Sequence, residues 1–182
     1  MRRNARANRE RILAAAETVF GASGELGSTE EVAERAGVGI ATVFRHFATK
    51  EALIEATIVR QLNRLDERAT KLAEQPNPSD AIRQLIATLI ETSSTKLTLL
   101  SLVRENDHYP RAVLEATQPL QATINVILAR ANNELAVRDD VTADEFFVLV
   151  RGLAQAATTM PSTPETMNRA IEIVCRGLAP SG

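Results

Sequence analysis

Residues 28–50 read STEEVAERAGVGIATVFRHFATK, and this stretch predicts two short helices joined by a tight turn. Ser28 and Glu31 have the spacing of a capping box, in which each side chain accepts a hydrogen bond from the backbone N–H of the other residue. Gly37 tolerates the left-handed backbone conformation that ends many helices, so we expect the first helix to end there. The second helix follows, and a third begins near Lys50.

The apolar residues of this stretch predict how the two helices pack. Val32 and Ala36 lie one turn apart on the first helix, Val43 and Phe47 share a face of the second, and Val38 joins them from the turn. The other residues of the second helix then face outward or sideways. This arrangement is typical of a helix-turn-helix, whose second helix enters the major groove of DNA.

In these residues the chain resembles the TetR family of bacterial transcriptional regulators. The resemblance extends over about fifty positions, and beyond about residue 55 only the general plan of a long helical domain agrees. It implies an all-α fold, with a three-helix DNA-binding domain at residues 1–50 and a larger helical effector-binding and dimerisation domain at residues 51–182. The matching segments are RILAAA at 11–16, Phe20, Gly24, VA at 32–33, AGV at 36–38, TVFRHF at 42–47 and KEAL at 50–53.

Composition agrees with a helical protein. Apolar residues make up 45% of the 182 positions, which is enough for a proper core, and aromatic residues only 3%, which favours helices over a sheet. The net charge of −2 excludes a protein that coats nucleic acid through its overall charge. Cys175 is the single cysteine, so no intrachain disulfide can form. No run approaches the roughly eighteen apolar residues of a membrane span. We therefore expect a cytoplasmic protein that does not enter a membrane.

The first eleven residues are strongly basic. They contain five arginines against one acidic residue, Glu10. Such an arm suits DNA phosphates or a narrow minor groove, and Arg2, Arg3 and Arg6 are therefore candidate DNA contacts. The alternative is a disordered terminus that keeps the protein in solution.

Caps and prolines divide the chain into further helices. The first helix is expected from about Asn8 to Ala22, and a longer one from the N-cap Thr49 to about Glu74. Residues 75–79 form the clearest break, after which Ser79 or Asp80 can cap the next helix. Further breaks are expected at residues 93–95 and 109–110. Pro119 lies in a later helical pattern, so that helix either kinks there or begins afresh.

The last two predicted helices, at residues 142–159 and 163–178, are candidates for an interface between two copies of the chain. Thr142 and Glu145 form a second capping box, and the helix after them is apolar on nearly every face. Such a pair can form a four-helix bundle with its symmetry mate. The alternative is that both helices are buried within one monomer.

The resemblance assigns the outward face of the second helix of the helix-turn-helix to DNA. Arg45 suits guanine, because a guanidinium can donate two hydrogen bonds to its O6 and N7 atoms, and Ile40 suits a thymine methyl group. Ala41 allows close approach of the backbone, and Lys50 is assigned to a phosphate. The complete set of candidates comprises Ser28, Gly39, Ile40, Ala41, Thr42, Phe44, Arg45, His46 and Lys50, with the arm arginines Arg2, Arg3 and Arg6.

Two positions depart from the family pattern. Many members have a hydroxyl-bearing cap at the position of Gly39 and a tyrosine at the position of Phe44, whose hydroxyl reaches a phosphate. Both hydroxyls are absent here. We expect weaker phosphate anchoring, partly offset by the basic arm.

The family resemblance also implies a small-molecule effector that binds the larger domain. A mostly apolar cavity with a few orienting polar groups would fit. The candidates are the polar residues among the apolar helices, namely Arg104, Asn106, His108, Tyr109, Gln118, Gln121 and Gln155.

Enzyme chemistry finds little support in the sequence. No Cys/His cluster has the spacing of metal ligands, and no glycine-rich phosphate loop follows a strand. We expect no catalytic residues, metal or cofactor. The favoured function is a homodimeric, ligand-responsive regulator, usually a repressor, that binds a palindromic DNA operator. The alternative, motivated by Gly39 and Phe44, is a helical small-molecule-binding or partner-binding protein whose DNA-binding domain is vestigial.

Overall fold

The computed structural model describes residues 2–103, 108–160 and 163–180, without the side chains of Arg2, Arg3 and Ser94. Over these ranges the chain is all-α, as predicted, with one short 3-10 helix at Gly24–Leu26. No described helix is long and apolar enough to span a membrane. The α-helices are α1 (Arg2–Ser23), α2 (Thr29–Ala36), α3 (Ile40–His46), α4 (Lys50–Ala73), α5 (Pro78–Glu91), α6 (Ser93–Leu102), α7 (Arg111–Asn133), α8 (Ala143–Thr159) and α9 (Pro164–Leu178).

Side-chain caps define several helix starts, and three of them are the predicted ones. The capping boxes of α2 and α8 are both formed. In α2 the N–H of Glu31 donates to Ser28 Oγ at 3.1 Å, and the N–H of Ser28 donates to the Glu31 carboxylate at 2.9 Å. Thr49 caps α4 by accepting from the N–H of Ala52 at 3.1 Å. These caps satisfy N–H groups that have no partner within the helix.

The cap of α5 differs from the prediction. Asn77 is the N-cap, and its side-chain oxygen accepts from the N–H of Ser79 at 3.0 Å and from that of Asp80 at 3.3 Å. Ser79 and Asp80 therefore lie inside the first turn and do not cap it. Pro78 occupies the first helical position, where its fixed φ suits the helix and its missing N–H costs nothing.

Two further helices are more continuous than the sequence indicates. α1 begins at Arg2 and not near Asn8, so the basic arm is the first part of a helix. Residues 2–9 contain no glycine or proline, and arginine and alanine are good helix formers. α7 continues through Pro119. That proline is exposed, so the carbonyl left without its N–H partner can lie towards water.

The chain forms two compact units. The first combines residues 1–62 with residues 95–116, and the second combines residues 63–94 with residues 117–182. Because α4 contributes to both units, neither of them ends at the division between residues 50 and 51. The domain ranges 1–50 and 51–182 stay a prediction.

In the first unit, α1 packs against α2, and α2 packs against α3. The mostly buried Arg60 on α4 ties this group together, since its guanidinium lies 3.0 Å from a Glu10 oxygen and 2.8 Å from a Glu17 oxygen, both on α1. These ion pairs hold α1 against α4. The buried core includes Ile12, Leu13, Ala16, Phe20, Val32, Val43, Phe47, Leu53 and Ile58.

In the second unit, α5 packs against both α8 and α9. The buried Ser93 adds a polar link, because its hydroxyl lies 2.6 Å from the Ile90 carbonyl oxygen and 3.3 Å from the Ala154 carbonyl oxygen. Phe146 and Ile171 supply buried faces of α8 and α9. The inner faces of these two helices are therefore used within the monomer.

Candidate nucleic-acid interface

The turn between α2 and α3 has the predicted geometry. Gly37 adopts φ 64° and ψ 40°, a left-handed conformation that glycine reaches without steric cost. The N–H of Gly37 donates to the Glu34 carbonyl at 3.0 Å, and that of Val38 donates to the Ala33 carbonyl at 3.0 Å. These bonds satisfy the last carbonyls of α2 and set the direction in which α3 leaves the turn.

The α2–α3 pair is held by buried side chains, as predicted. Val32, Val43 and Phe47 are buried, and Val38 is half-buried. Because α3 has fewer than three turns, this packing and not helix propensity must keep it in place. The opposite side of α3 is left to the solvent.

The outward side of α3 presents six of the twelve predicted DNA-binding residues. Ile40 is 36% exposed and Phe44 46% exposed. Ala41 and Arg45 are also exposed, and Thr42 and His46 are half-buried. The structure thus brings a guanidinium, an imidazole, a hydroxyl and apolar groups together on one short helix.

Arg45 is folded back along its own helix. Its Nε donates to the Ala41 carbonyl at 3.2 Å, and its Nη2 donates to the Thr42 hydroxyl at 3.0 Å. The bond to Thr42 fixes one edge of the guanidinium. These exposed bonds are weak, so base contacts can replace them when DNA binds.

Lys50 has a partner that the sequence does not indicate. Its Nζ donates to the Glu25 carbonyl at 2.9 Å and lies 5.4 Å from the centroid of the Phe20 ring. Lys50 therefore holds the 3-10 turn after α1. An ammonium has three donors, so a phosphate contact is compatible with this bond.

Ser28 and Gly39 also have defined roles at helix starts. The Ser28 hydroxyl belongs to the capping box of α2. Gly39 is the N-cap of α3 and makes no side-chain cap bond, and a Cβ placed on it would have no atom within 4 Å. As the sequence predicts, α3 therefore has no side-chain cap in the folded chain. Position 39 has room for a larger residue.

Arg9 is a functional candidate that the sequence indicates only through the charge of the basic arm. Its guanidinium carbon lies 5.2 Å from the centroid of the ring of Phe47, the residue that follows α3. Arg6 is exposed on the same helix. The sequence does not indicate the contact between Arg9 and Phe47, because the two residues are far apart in the chain and meet only when the helices pack.

The effector candidates are not brought together as a set. Arg104 and Asn106 lie outside the described residues. Gln118, Gln121 and Gln155 are exposed on α7 and α8 in the single chain, and their part in an effector site stays a prediction.

His108 and Tyr109 do line a cleft, of about 410 Å³. In the part of the chain that the structure describes, no three histidine, cysteine or acidic side chains are grouped to hold a metal ion.

The fold and the outward face of α3 define a helix-turn-helix DNA-binding protein. Residues 12–57 match the family model for bacterial regulatory proteins of the tetR family. Residues 77–180 match the model for the C-terminal domain of SbtR-like transcriptional regulators. The chain therefore belongs to the TetR family, and the class of protein is a transcriptional regulator.

Solved structures agree with this assignment. A TetR transcriptional regulator from Streptomyces coelicolor is 29% identical, with 96% of this chain and 99% of that chain covered and a TM-score of 0.76. A TetR regulator from Mycobacterium vanbaalenii is 26% identical, with 98% and 99% covered and a TM-score of 0.80. The regulator FadR from Bacillus subtilis, in complex with stearoyl-CoA, shares the fold at 16% identity, with 93% and 97% covered and a TM-score of 0.70. No curated protein sequence matches the chain.

Proposed function

We propose that the protein is a ligand-responsive repressor that binds a palindromic DNA operator as a homodimer. The observation that carries the proposal is the outward face of α3, where Arg45, Thr42 and the exposed Ile40 lie together on a helix held by a buried core. These groups match the donors and apolar contacts that read base edges in a major groove. Membership of the TetR family supports the same assignment.

The homodimer is supported by the outer faces of α8 and α9. Val148 is 70% exposed and Ile173 is 62% exposed in the single chain, although both helices also bury an inner face. Gly152 and Gly177 lie inside these helices, and a Cβ on either would have no atom within 4 Å. An interior helical glycine costs about 1 kcal/mol relative to alanine, and its benefit is close approach of another backbone. These features favour a four-helix bundle with a second copy over burial within one monomer.

The two-fold axis of such a dimer would place two α3 helices on one face of the DNA. Half-sites are then expected about 34–36 Å apart, which is one turn of the double helix. Arg45 would supply direct readout of a guanine. Arg6 and Arg9 on the helical arm would contact phosphates, as would Lys50, and Arg2 and Arg3 are proposed for the same role.

The effector acts by preferring one conformation of the dimer. A ligand shifts a conformational equilibrium only by its difference in affinity for the two states. To move the protein almost completely between a DNA-binding and a released state, that difference must be about 5.5 kcal/mol. The repressor is then released without any ligand contact to DNA.

The test is a footprint and gel shift of the full chain on the DNA upstream of its own gene, with unrelated DNA as the control. We expect a protected palindrome, a sequence-selective shift at physiological salt and the mass of a dimer in solution. A shift without sequence selectivity would instead support the alternative, a ligand-binding or partner-binding protein whose DNA-binding domain is vestigial. The uncapped Gly39 and the missing hydroxyl at Phe44 are the features that favour that alternative.

A further inference from the structure

The cleft near His108 and Tyr109 lies entirely within the first compact unit. Its wall is formed by the first two turns of α4, the end of α6 and the residues that precede α7. Its volume of about 410 Å³ is within the range of small-molecule sites. The lining residues are Glu51, Glu55, Leu102, Val103, His108, Tyr109 and Pro110.

One side of the cleft is negatively charged. Glu51 and Glu55 lie one turn apart, on the same face of α4. Hydrogen bonds from its own backbone and from the Thr49 side chain hold the pKa of Glu51 below its usual range, so this carboxylate is ionised at neutral pH. Like charges at this spacing repel each other and destabilise a helix by a few tenths of a kcal/mol.

The basic residues that flank this pair on α4 are bonded elsewhere. Lys50 donates to the Glu25 carbonyl, and Arg60 is bound by Glu10 and Glu17. Within the described ranges, no side chain donates a hydrogen bond to the half-buried Glu55 or forms an ion pair with it. The charge of the neighbouring Lys50 helps to lower the pKa of Glu51, so one cation of α4 balances the two carboxylates only in part.

The other side of the cleft is mostly apolar, and the exposed imidazole of His108 also lines it. Val103 is buried, and Leu102 and Pro110 are half-buried at its wall. Tyr109 adds a half-buried aromatic ring. A ligand that fits both sides carries a positive charge at one end and an apolar body at the other.

We propose that this cleft is the effector site and that it binds a small organic cation, an ammonium group joined to a short aliphatic or aromatic tail. The ammonium lies between Glu51 and Glu55, and the tail packs on Leu102, Val103 and Pro110. Because Tyr109 is the one phenylalanine, tyrosine or tryptophan among the described residues of the wall, the carboxylates and not an aromatic cage recognise the charge. This inference rests on the proposed function, since it names the chemical class of the effector.

The position of the cleft gives the ligand a short route to the recognition helix. Residues 47–49 alone connect α3 to α4, and Glu51 lies in the first turn of α4. A cation that draws Glu51 and Glu55 towards the α6 side displaces the start of α4 relative to α3. DNA affinity then changes without contact between the ligand and α3.

The probes are hexylammonium and phenethylammonium, compared with hexanol and phenylethanol, which lack the charge, and with hexanoate, which reverses it. Binding is measured by calorimetry and by the thermal unfolding midpoint of the full chain. We expect only the ammonium compounds to bind and to raise the midpoint. Equal binding of the alcohols, or no binding of either ammonium compound, would overturn the proposal.

Variants locate the binding. Glu55→Gln and Glu51→Gln keep the side-chain shape and are each expected to weaken ammonium binding about tenfold, since each removes a hydrogen bond between two charged groups. Glu67→Gln is the matched control, an exposed position further along α4, and should bind as the unaltered chain does. Unchanged affinity in both cleft variants would exclude this cleft.

The operator shift is measured for each variant with and without hexylammonium. An operator affinity that the bound ammonium does not change would overturn the assignment of the cleft as the effector site. Failure to find any selective DNA binding would instead count against the proposed function. The calorimetry would still report on the cleft in that case, so the two failures are distinguishable.

Discussion

The outer face of α3 and the outer faces of α8 and α9 both expose large apolar side chains, yet their surroundings differ. On α3, Phe44 lies beside Arg45 and other hydrogen-bond donors, a mixture that suits base edges and phosphates. On α8 and α9, Val148 and Ile173 accompany exposed glycines that permit another helix to approach closely. The exposed apolar area is therefore a poor guide to the partner, and the small and polar residues around it are the better one.

The largest effect is expected from a charge on the α9 surface. Ile173→Glu should prevent dimer formation, because a carboxylate would be buried without a partner, and operator affinity should fall about a thousandfold towards the non-specific level. Mass in solution and gel shift measure both effects. Val126→Glu on α7 is the matched control, since it also adds a charge at an exposed apolar residue and should remain dimeric. Monomers in both variants would contradict the assignment of this surface.

Arg45→Ala tests the polar part of the α3 surface. We expect it to weaken binding by about 1–3 kcal/mol at one base pair of each half-site and to relax the preference there, because alanine cannot donate the two hydrogen bonds to guanine. Competition among operators that differ at single positions measures the change. An equal decrease in affinity for every sequence would refute direct readout by Arg45.

Arg9→Ala tests the phosphate contact proposed for the helical arm. All DNA sequences should bind more weakly to about the same degree, and the slope of affinity against salt should fall by about one for each phosphate that the variant no longer neutralises. Arg83→Ala on α5 removes an exposed arginine of the second compact unit that lies on neither of the proposed dimer helices, and it serves as the control. If Arg9 only supports Phe47, the unfolding midpoint will fall and the salt slope will not change.

Gly39→Ser should have the smallest effect. A serine hydroxyl can cap α3, and a Cβ has open space at this position, so the free energy of unfolding should rise by a few tenths of a kcal/mol. The same hydroxyl can contact a phosphate, so DNA affinity should rise slightly for all sequences. Gly39→Ala lacks the hydroxyl and provides the comparison. If Gly39→Ala raised the free energy of unfolding as much as Gly39→Ser does, the hydroxyl cap would not be the cause of the added stability.

The sequence predicts the parts of the fold that depend on neighbouring residues. The capping boxes at Ser28 and Thr142, the left-handed Gly37 and the buried stripe through Val43 and Phe47 are confirmed. Each involves residues within about one turn of a helix, so spacing alone indicates it. The cap of α5 is the exception, because Asn77, Ser79 and Asp80 all have side chains that can cap a helix. Proline prefers the first helical position, so Pro78 makes Asn77 the cap.

The partners of the long side chains required the folded chain. Lys50 reaches the Glu25 carbonyl, Arg9 reaches Phe47, and Arg60 bridges two acids on α1, all across large separations in sequence. Periodicity fixes which face of a helix is apolar, but the direction in which one helix crosses another sets these contacts. The sequence alone therefore indicates that α3 reads DNA. It does not show that Gln155 is exposed or that two carboxylates line a cleft, because both depend on how the helices pack.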